Sequence, residues 1–580
     1  MLTRATLAGL LALAAVPLAA QTHAAPNPWA HVGGPRTLAP RPTHPAITSA
    51  DLQTRLYRFA DDSMGGRLLG SPGNVMGAEY LASEVRRLGL EPAGENGTYF
   101  QTLPMVDRSV DTTAVLAVGG TAWRAWGDFI PRDQGPGARA IDGVPVIYGG
   151  DFADTASRIT PDAAAGKLVV LTFSGTVPGN PPGVPNRGAV NGRYPAAAGI
   201  ALVARDNLPP DQVAGFQQQN TIILFDDQPT LPSYLYVTRA MAEAMMGGPL
   251  ASVRAGAPGR PVTGNAGFTN TPSKYPARNV VAILRGTDPT LKNEYVAVGA
   301  HNDHIGMGQP VAHDSMYVVN HLFRQQGADD APVGKLTDAQ AGEVNAALAE
   351  IRRTTHGESA RVDSIYNGAD DDGSGSMAVL EIAERLTTQR QHPRRSILFV
   401  WHVGEEEGLF GSQWFTDHPT VPRAAIVAQL NIDMIGRGDA SDMTGQTLAG
   451  DKIHGNPNYL QVIGSRRVAT QLGDMVEAVN KSGKHGLAFD YSLDANGHPQ
   501  NIYCRSDHYE YARYGIPIAF FTTGGHADYH QVTDEAEYID YPHYARVTRF
   551  IADLAMHVAD APARPTVDHP LPDPHGRCQQ

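Results

Sequence analysis

The chain has 580 residues, more than a single core organises, and its composition of 42% hydrophobic and 18% charged residues is that of a globular protein. A formal net charge of −13, with no Lys/Arg cluster to offset it, argues against nucleic-acid binding. Two cysteines, Cys504 and Cys578, cannot build a disulfide framework or a CxxC-type zinc site, so a bound metal would draw mainly on His, Asp and Glu.

Arg4 followed by the apolar stretch Leu7 to Ala20 reads as a secretory signal over residues 1–24, with cleavage after Ala20 or Ala24. The stretch is short for a membrane span, and no later run is long enough for one. No Cys follows it to carry a lipoprotein anchor. The expectation is an exported protein, periplasmic or extracellular, with no membrane association after signal cleavage. Residues 25–46 are Pro-rich and extended. Thr48 to Gly89 reads as two helical segments broken at Met64-Gly65-Gly66 and Ser71-Pro72-Gly73, with Tyr80, Leu81, Val85 and Leu88 on one face. Gly89 suits the left-handed position after a helix.

Residues 112–264 change character. Short runs such as "VPVIYGG" and "KLVVLTFSG" alternate with Gly/Pro-rich loops and helical periodicity is scarce, so a separate β-rich module is expected. From 265 to 560, "NVVAILRG", "EYVAVGAH", "SILFVWHV", "AIVAQLNID" and "IPIAFFTTG" are near-continuous apolar runs with helical patterns between several of them. That is the pattern of an α/β domain with a largely parallel sheet buried on both faces. Residues 308–366 interrupt it as an insertion, a candidate lid, with a helix from about Asp338 to Arg353. The Pro-rich, polar tail 561–580 reads as disordered.

Polar residues gather at the ends of these runs, where open α/β sheets collect ligands. "VAVGAHNDH" ends on His301 and Asp303, "LFVWHVGEEE" on Glu405, Glu406 and Glu407, "VAQLNIDMIG" on Asp433, and "AFFTTGGHADYH" carries His526 and His530. Before the helical pattern Met377–Leu386 stands "NGADDDGSG", with Asp370, Asp371 and Asp372 adjacent. Asp370, Asp372, Ser374, Gly375 and Glu381 match an EF-hand calcium loop, but Ser374 reads as an N-cap and Glu381 falls inside the next helix. His and carboxylates without cysteine suit zinc, and two ions about 3.5–4 Å apart form the co-catalytic arrangement of many hydrolases.

Taken together the motifs resemble the co-catalytic dizinc exopeptidases of clan MH, from "GRLLGSPGNVMGAEYLASEVRRLGLEPAGENGTYFQ" through "ARNVVAILRG" to "YHQVTDEAEYID". Residues 25–111 would then be the first part of the peptidase domain, and the β-rich middle resembles the protease-associated domain that many members carry. The resemblance implies peptide substrates and two zinc ions. It implies Asp371 as the bridging ligand, followed by a cis peptide to Asp372. It pairs His301 and Asp433 on one ion, Glu406 and His530 on the other. It makes Glu405 the general base and Asp303 the residue that orients His301. Tyr529 is a candidate donor to the oxyanion. Glu407 adds an ambiguity of register, which Gly408-Leu409 and Gly411-Ser412 decide for Glu405 and Glu406. Asp507 and His508, in "RSDHYEYARYGIP", are candidates for supporting the site.

The favoured reading is an aminopeptidase. A carboxypeptidase or dipeptidase on the same scaffold needs a basic group for the substrate carboxylate, with Arg437 and Arg505 as candidates. Against a single-zinc glutaminyl cyclase and against a non-catalytic receptor-like protein stands the full ligand set. No Gly-x-Ser-x-Gly or His-Glu-x-x-His motif is present.

Overall fold

Nine strands make the central sheet of the computed structural model, which describes Trp29 and residues 35–580 except 133–136, 175–183, 219, 226–229, 325–332, 355–360 and 440–441. The expected signal over residues 1–24 lies outside the described residues. In chain order the strands are β1 (Glu91–Pro92), β2 (Phe100–Thr102), β3 (Arg278–Leu284), β4 (Tyr295–His301), β5 (Ser396–His402), β6 (Ile426–Ile432), β7 (Tyr459–Ile463), β8 (Ala488–Asp490) and β9 (Ile518–Thr522). Their order across the sheet is β1-β3-β5-β4-β6-β9-β7-β8, with β2 also paired to β3.

The four central strands, β5, β4, β6 and β9, are parallel. Flanking β3 and β7 run antiparallel to their inner neighbours, so the sheet is mixed and parallel at its centre. An apolar run such as "NVVAILRG" reads as a parallel strand because both its faces are covered, whichever way it runs. The expected "largely parallel" sheet therefore holds for the middle strands only.

Seven helices matter for the site: α1 (Ser49–Phe59), α2 (Pro72–Arg87), α3 (His313–Phe323), α4 (Asp338–Thr354), α5 (Gly375–Thr388), α6 (Thr470–Ser482) and α7 (Tyr541–Asp560). Thr48 and Ser71 cap α1 and α2 by accepting from Asp51 N and Asn74 N, and Pro72 stands in the first turn of α2. Leu56, Leu81, Leu380, Val476 and Phe550 of α1, α2, α5, α6 and α7 pack on Val296, Val298, Phe399 and Phe521 of the sheet. The alternate residues Ala297, Leu398, Val400 and Phe520 face the second core, with Phe415 and Tyr511. Among the described residues no helix is long and apolar enough to cross a membrane.

The middle module begins earlier and ends later than the sequence suggests. Strand Met105–Val110 pairs with Asn220–Ile223 and with Phe268–Pro272. Beyond lies a five-stranded sheet around Leu168–Thr172 and Gly199–Val203, accompanied by short helices such as Arg187–Arg193 and Arg239–Met246. These helices are about two turns long, too short to print a clear period on the sequence. The 308–366 insertion is a hairpin of Met307–Ala312 with Val362–Ile365 carrying α3 and α4. The tail corrects another expectation. Composition suggested disorder, but Cys578 is disulfide-bonded to Cys504, and Gln580 Nε2 donates to the carbonyls of Leu493 and Ala495 at 2.6 and 3.0 Å.

Candidate metal centre

The carboxyl ends of the four parallel strands converge on one spot. His301 is the last residue of β4, Glu405 and Glu406 follow β5, Asp433 follows β6, and His530 stands in the loop after β9. Asp371 reaches them from the turn that opens α5, and the Asp371–Asp372 peptide is cis. A side chain at Gly375 could not be accommodated in that turn: its Cβ would meet Asp372 Oδ1 and Ile432 O at 2.3 Å.

Asp371 stands at the middle of the cluster. Its Oδ1 is 3.2 Å from His301 Nε2, and its Oδ2 is 3.1 Å from His530 Nε2. On the first side His301 Nε2 also lies 3.8 Å from Asp433 Oδ1 and 4.0 Å from Glu405 Oε2. On the second, His530 Nε2 lies 2.9 Å from Glu406 Oε2, and His304 Nδ1 2.5 Å from Glu406 Oε1. Donor atoms of His301, Asp371 and Asp433 form one group within 4.8 Å, and those of His304, Asp371, Glu406 and His530 a second. His304 was not singled out from the sequence. The second His of "GAHNDH" was the available signal.

The donor set fits dications. Among the described residues no Lys or Arg pairs with Asp371, Glu405, Glu406 or Asp433, and Asp433 Oδ1 is buried without a hydrogen-bond partner. Converging carboxylates with no counter-charge are expensive to bury, and a cation removes the penalty. Two other His/Asp/Glu groups, His313-Asp363-Glu535 and His321-Asp442-Asp528, already hold a guanidinium. Arg361 pairs with Asp363 and Glu535, and Arg437 with Asp442 and Asp528.

Titration follows from these contacts. Burial alone would raise Asp371, yet hydrogen bonds from His301 and His530 hold it well below the carboxylate range. Glu406 meets burial and the charge of Asp371, but His530 and His304 bring it down to about 2. Burial, reinforced by Asp433 and Glu406, pushes Glu405 well above its ordinary value despite His301.

A shell of hydrogen bonds fixes the donors. Asp303 Oδ1 lies 3.6 Å from His301 Nδ1, and its carboxylate accepts the N–H groups of Glu405 and Glu406 at 3.3 and 3.4 Å. Asp372 accepts from the N–H groups of His301, Gly375 and Met434, tying three loops together. Asp370 accepts from Gly436 N, and Asp534 accepts from Asp370 N and Asp371 N. Ser506 Oγ donates to Asp433 Oδ2 at 2.7 Å and accepts from Asn431 Nδ2 at 2.9 Å.

Glu407 is exposed and belongs to neither donor group. Glu381 sits inside α5 against Arg55, out of reach of any calcium loop. Tyr529 stacks on His530 at 3.9 Å, with its hydroxyl 3.4 Å from Arg505 Nη2. Asp507 lies 3.3 Å from His402 Nδ1 beneath β5, and His508 stacks on Phe520 with burial lowering its pKa to about 3. Arg437 is buried among carboxylates, so it is not offered to a substrate. Arg505 lines the cavity above the cluster, whose volume is about 330 Å³ and whose apolar wall includes Met434, Leu493, Ile502 and Phe520.

A sequence model of peptidase family M28 matches residues 279–555, the stretch that carries every one of these donors. That stretch belongs to peptidase family M28. Leupeptin-inactivating enzyme 1 of Streptomyces exfoliatus is 29% identical to this chain over 179 residues, 30% of this chain and 34% of that protein. A probable leucine aminopeptidase of Arthroderma benhamiae is 41% identical over 76 residues, 12% of this chain and 21% of that protein. The chain thus spans about a third or less of the length of these curated relatives. An aminopeptidase structure from Aneurinibacillus sp. strain AM-1 aligns with 91% of this chain and 98% of its own, at 14% identity and a TM-score of 0.42.

Proposed function

We propose that the chain is an exported dizinc aminopeptidase that removes N-terminal residues from peptides. The carrying observation is the sharing of Asp371, with one imidazole at each of its two oxygens. His301, Asp371 and Asp433 would hold one zinc, and Asp371, Glu406 and His530 the other. Zinc bound there supplies acidified water and polarises the scissile carbonyl. Glu405 is the proton carrier. It takes the proton from the attacking water and delivers it to the leaving amine. Its raised affinity for protons suits that role, and dications held by the neighbouring donors would lower it. Asp303 holds the His301 ring, and Tyr529, which lines the cavity and stacks on His530, is the candidate donor to the oxyanion. The apolar wall of the cavity suits an aliphatic or aromatic substrate side chain. The middle module, whose described residues include none of these donors, is read as a protease-associated insert.

Arg505 favours one alternative. A guanidinium lining the cavity would receive a carboxylate, as a carboxypeptidase or dipeptidase requires. Elemental analysis and a substrate screen separate the readings. The expected result is two zinc ions per chain, activity lost to chelators and restored by zinc, and cleavage of aminoacyl-anilides but not of N-blocked peptides. Cleavage confined to N-blocked peptides with a free carboxylate establishes the alternative. Calcium alone in the protein sinks both.

A further inference from the structure

His304 is fully buried, three residues past His301 in the same loop, and no role above uses it. Its Nδ1 faces Glu406 Oε1 at 2.5 Å and lies 3.9 Å from Asp371 Oδ2. The Glu406 carboxylate is therefore flanked by two imidazoles, His304 on Oε1 and His530 on Oε2. Those two rings meet edge to face, 5.6 Å between centroids. The backbone is shaped to admit the His304 ring. Gly368 has φ +53°, and a Cβ there would come within 2.5 Å of His304 Cγ. A histidine that only oriented Glu406 would approach it from outside the donor set. Here Nδ1 lies inside it, within 4.8 Å of donor atoms of Asp371, Glu406 and His530.

We propose that His304 is a fourth protein ligand, through Nδ1, to the ion on the His530 side, so that this side is closed and the His301 side alone keeps an open position. The inference rests on the dizinc reading. Zinc sites with four protein ligands are closed, whereas those with three keep a place for water or substrate. The other side has three donors, His301, Asp371 and Asp433. It is also the side nearer Glu405, whose Oε2 is 4.0 Å from His301 Nε2 and forms no such pair with His304 or His530. Water and substrate then meet the ion of the His301 side, and the ion of the His530 side chiefly holds Asp371 in place.

The test is a proton–cadmium correlation spectrum of the full chain loaded with cadmium, with metal content measured on the same sample. An imidazole bound through Nε2 couples both ring protons to the metal, and one bound through Nδ1 couples only Hε1. The expected spectrum has His530 and His304 on one cadmium resonance, His304 through Hε1 alone, and His301 on the other. His304→Gln should remove the Hε1-only correlation, and the two remaining imidazoles should stay. Two bound ions with a single imidazole on each, in the unsubstituted chain, overturn the inference and leave the dizinc reading standing. Fewer than two bound ions overturn both.

Discussion

The two sides of the centre use the same kinds of donor but are held by different parts of the molecule. On the first side His301 ends β4 and Asp433 follows β6, both interior strands. Behind Asp433 runs a buried chain in which Gln429 donates to Asn431, Asn431 to Ser506, and Ser506 to Asp433. On the second side His530 stands in a loop, at φ +55°. That loop is braced from the 308–366 insertion. His321 of α3 lies 2.9 Å from Asp528, and Arg324 donates to the carbonyls of Ala527 and Tyr529 at 2.9 and 2.6 Å. Tyr317 of α3 packs on Tyr538, 4.6 Å between centroids. One side is thus fixed by the domain core, whose strands the whole fold holds. On the other, Glu406 also follows a core strand, but the His530 loop is braced by the insertion.

The largest expected effect ignores the difference. Asp371→Ala removes the carboxylate common to both sides. At least one of the two proposed zinc ions should be lost by elemental analysis, with residual activity dependent on added metal. Retention of both ions at wild-type affinity would dissolve the comparison, because the sides would share nothing.

Next is Glu405→Gln, which keeps shape but removes the proposed base. Zinc content should stay unchanged while kcat falls by roughly 10²–10⁴-fold. A harmless Glu405→Gln, beside a Glu406→Gln that keeps zinc and stops turnover, would shift the register by one and make Glu407 the ligand.

Arg324→Ala sharpens the comparison. It leaves the buried carbonyls of Ala527 and Tyr529 short of a donor, at a cost of about 1–3 kcal/mol for each one unsatisfied. Chelator competition should report roughly 10–100-fold weaker binding of one ion, the usual effect of removing support behind a ligand. The other ion should be unaffected. Equal weakening of both would mean that the insertion stabilises the domain rather than one side.

Ser506→Ala is the mirror experiment. Asp433 Oδ2 loses its donor, and the ion of the His301 side should bind about tenfold more weakly. Activity should fall with it and return with excess zinc. Weakening of the His530-side ion instead would contradict the assignment of supports.

The smallest effect on metal is expected from excising the middle module. Leu103 N donates to Ala277 O at 3.0 Å, so the two ends of the cut already lie side by side. Metal content should not change, since no donor lies between them. Thermal stability should fall, because Val403, Phe410 and Trp414 pack against Leu103, Met105, Ile223 and Phe225. Loss of zinc from a folded excision variant would show that the module supports the centre.

Much of this was legible in advance because it is local. Five strands of the sheet announce themselves as apolar runs, and the acids and histidines that matter stand at their ends. Strands β7 and β8 do not announce themselves. Gln461 breaks the first, and the second is three residues long. Helix α3 was missed because it buries His313, Tyr317, Val318 and Asn320, a mixed set without an apolar period. The tail was misjudged because composition says nothing of the disulfide and the Gln580 contacts that pin it.

By itself the sequence determined the kinds of donor, the strands that present them and the chemistry they suit. It could do so because strand periodicity and the residues that follow a strand lie within a few positions of one another. Only the tertiary structure decided which donors belong together. His301 and His304 are three residues apart, yet one faces Asp371 Oδ1 and the other Glu406 Oε1. Arg437, close to Asp433 in the chain, turns away to neutralise Asp442 and Asp528, while Arg324, more than a hundred residues from either, steadies the His530 loop. Partnership among buried charges is set by distances across four strands and an insertion, and no spacing along the chain encodes those distances.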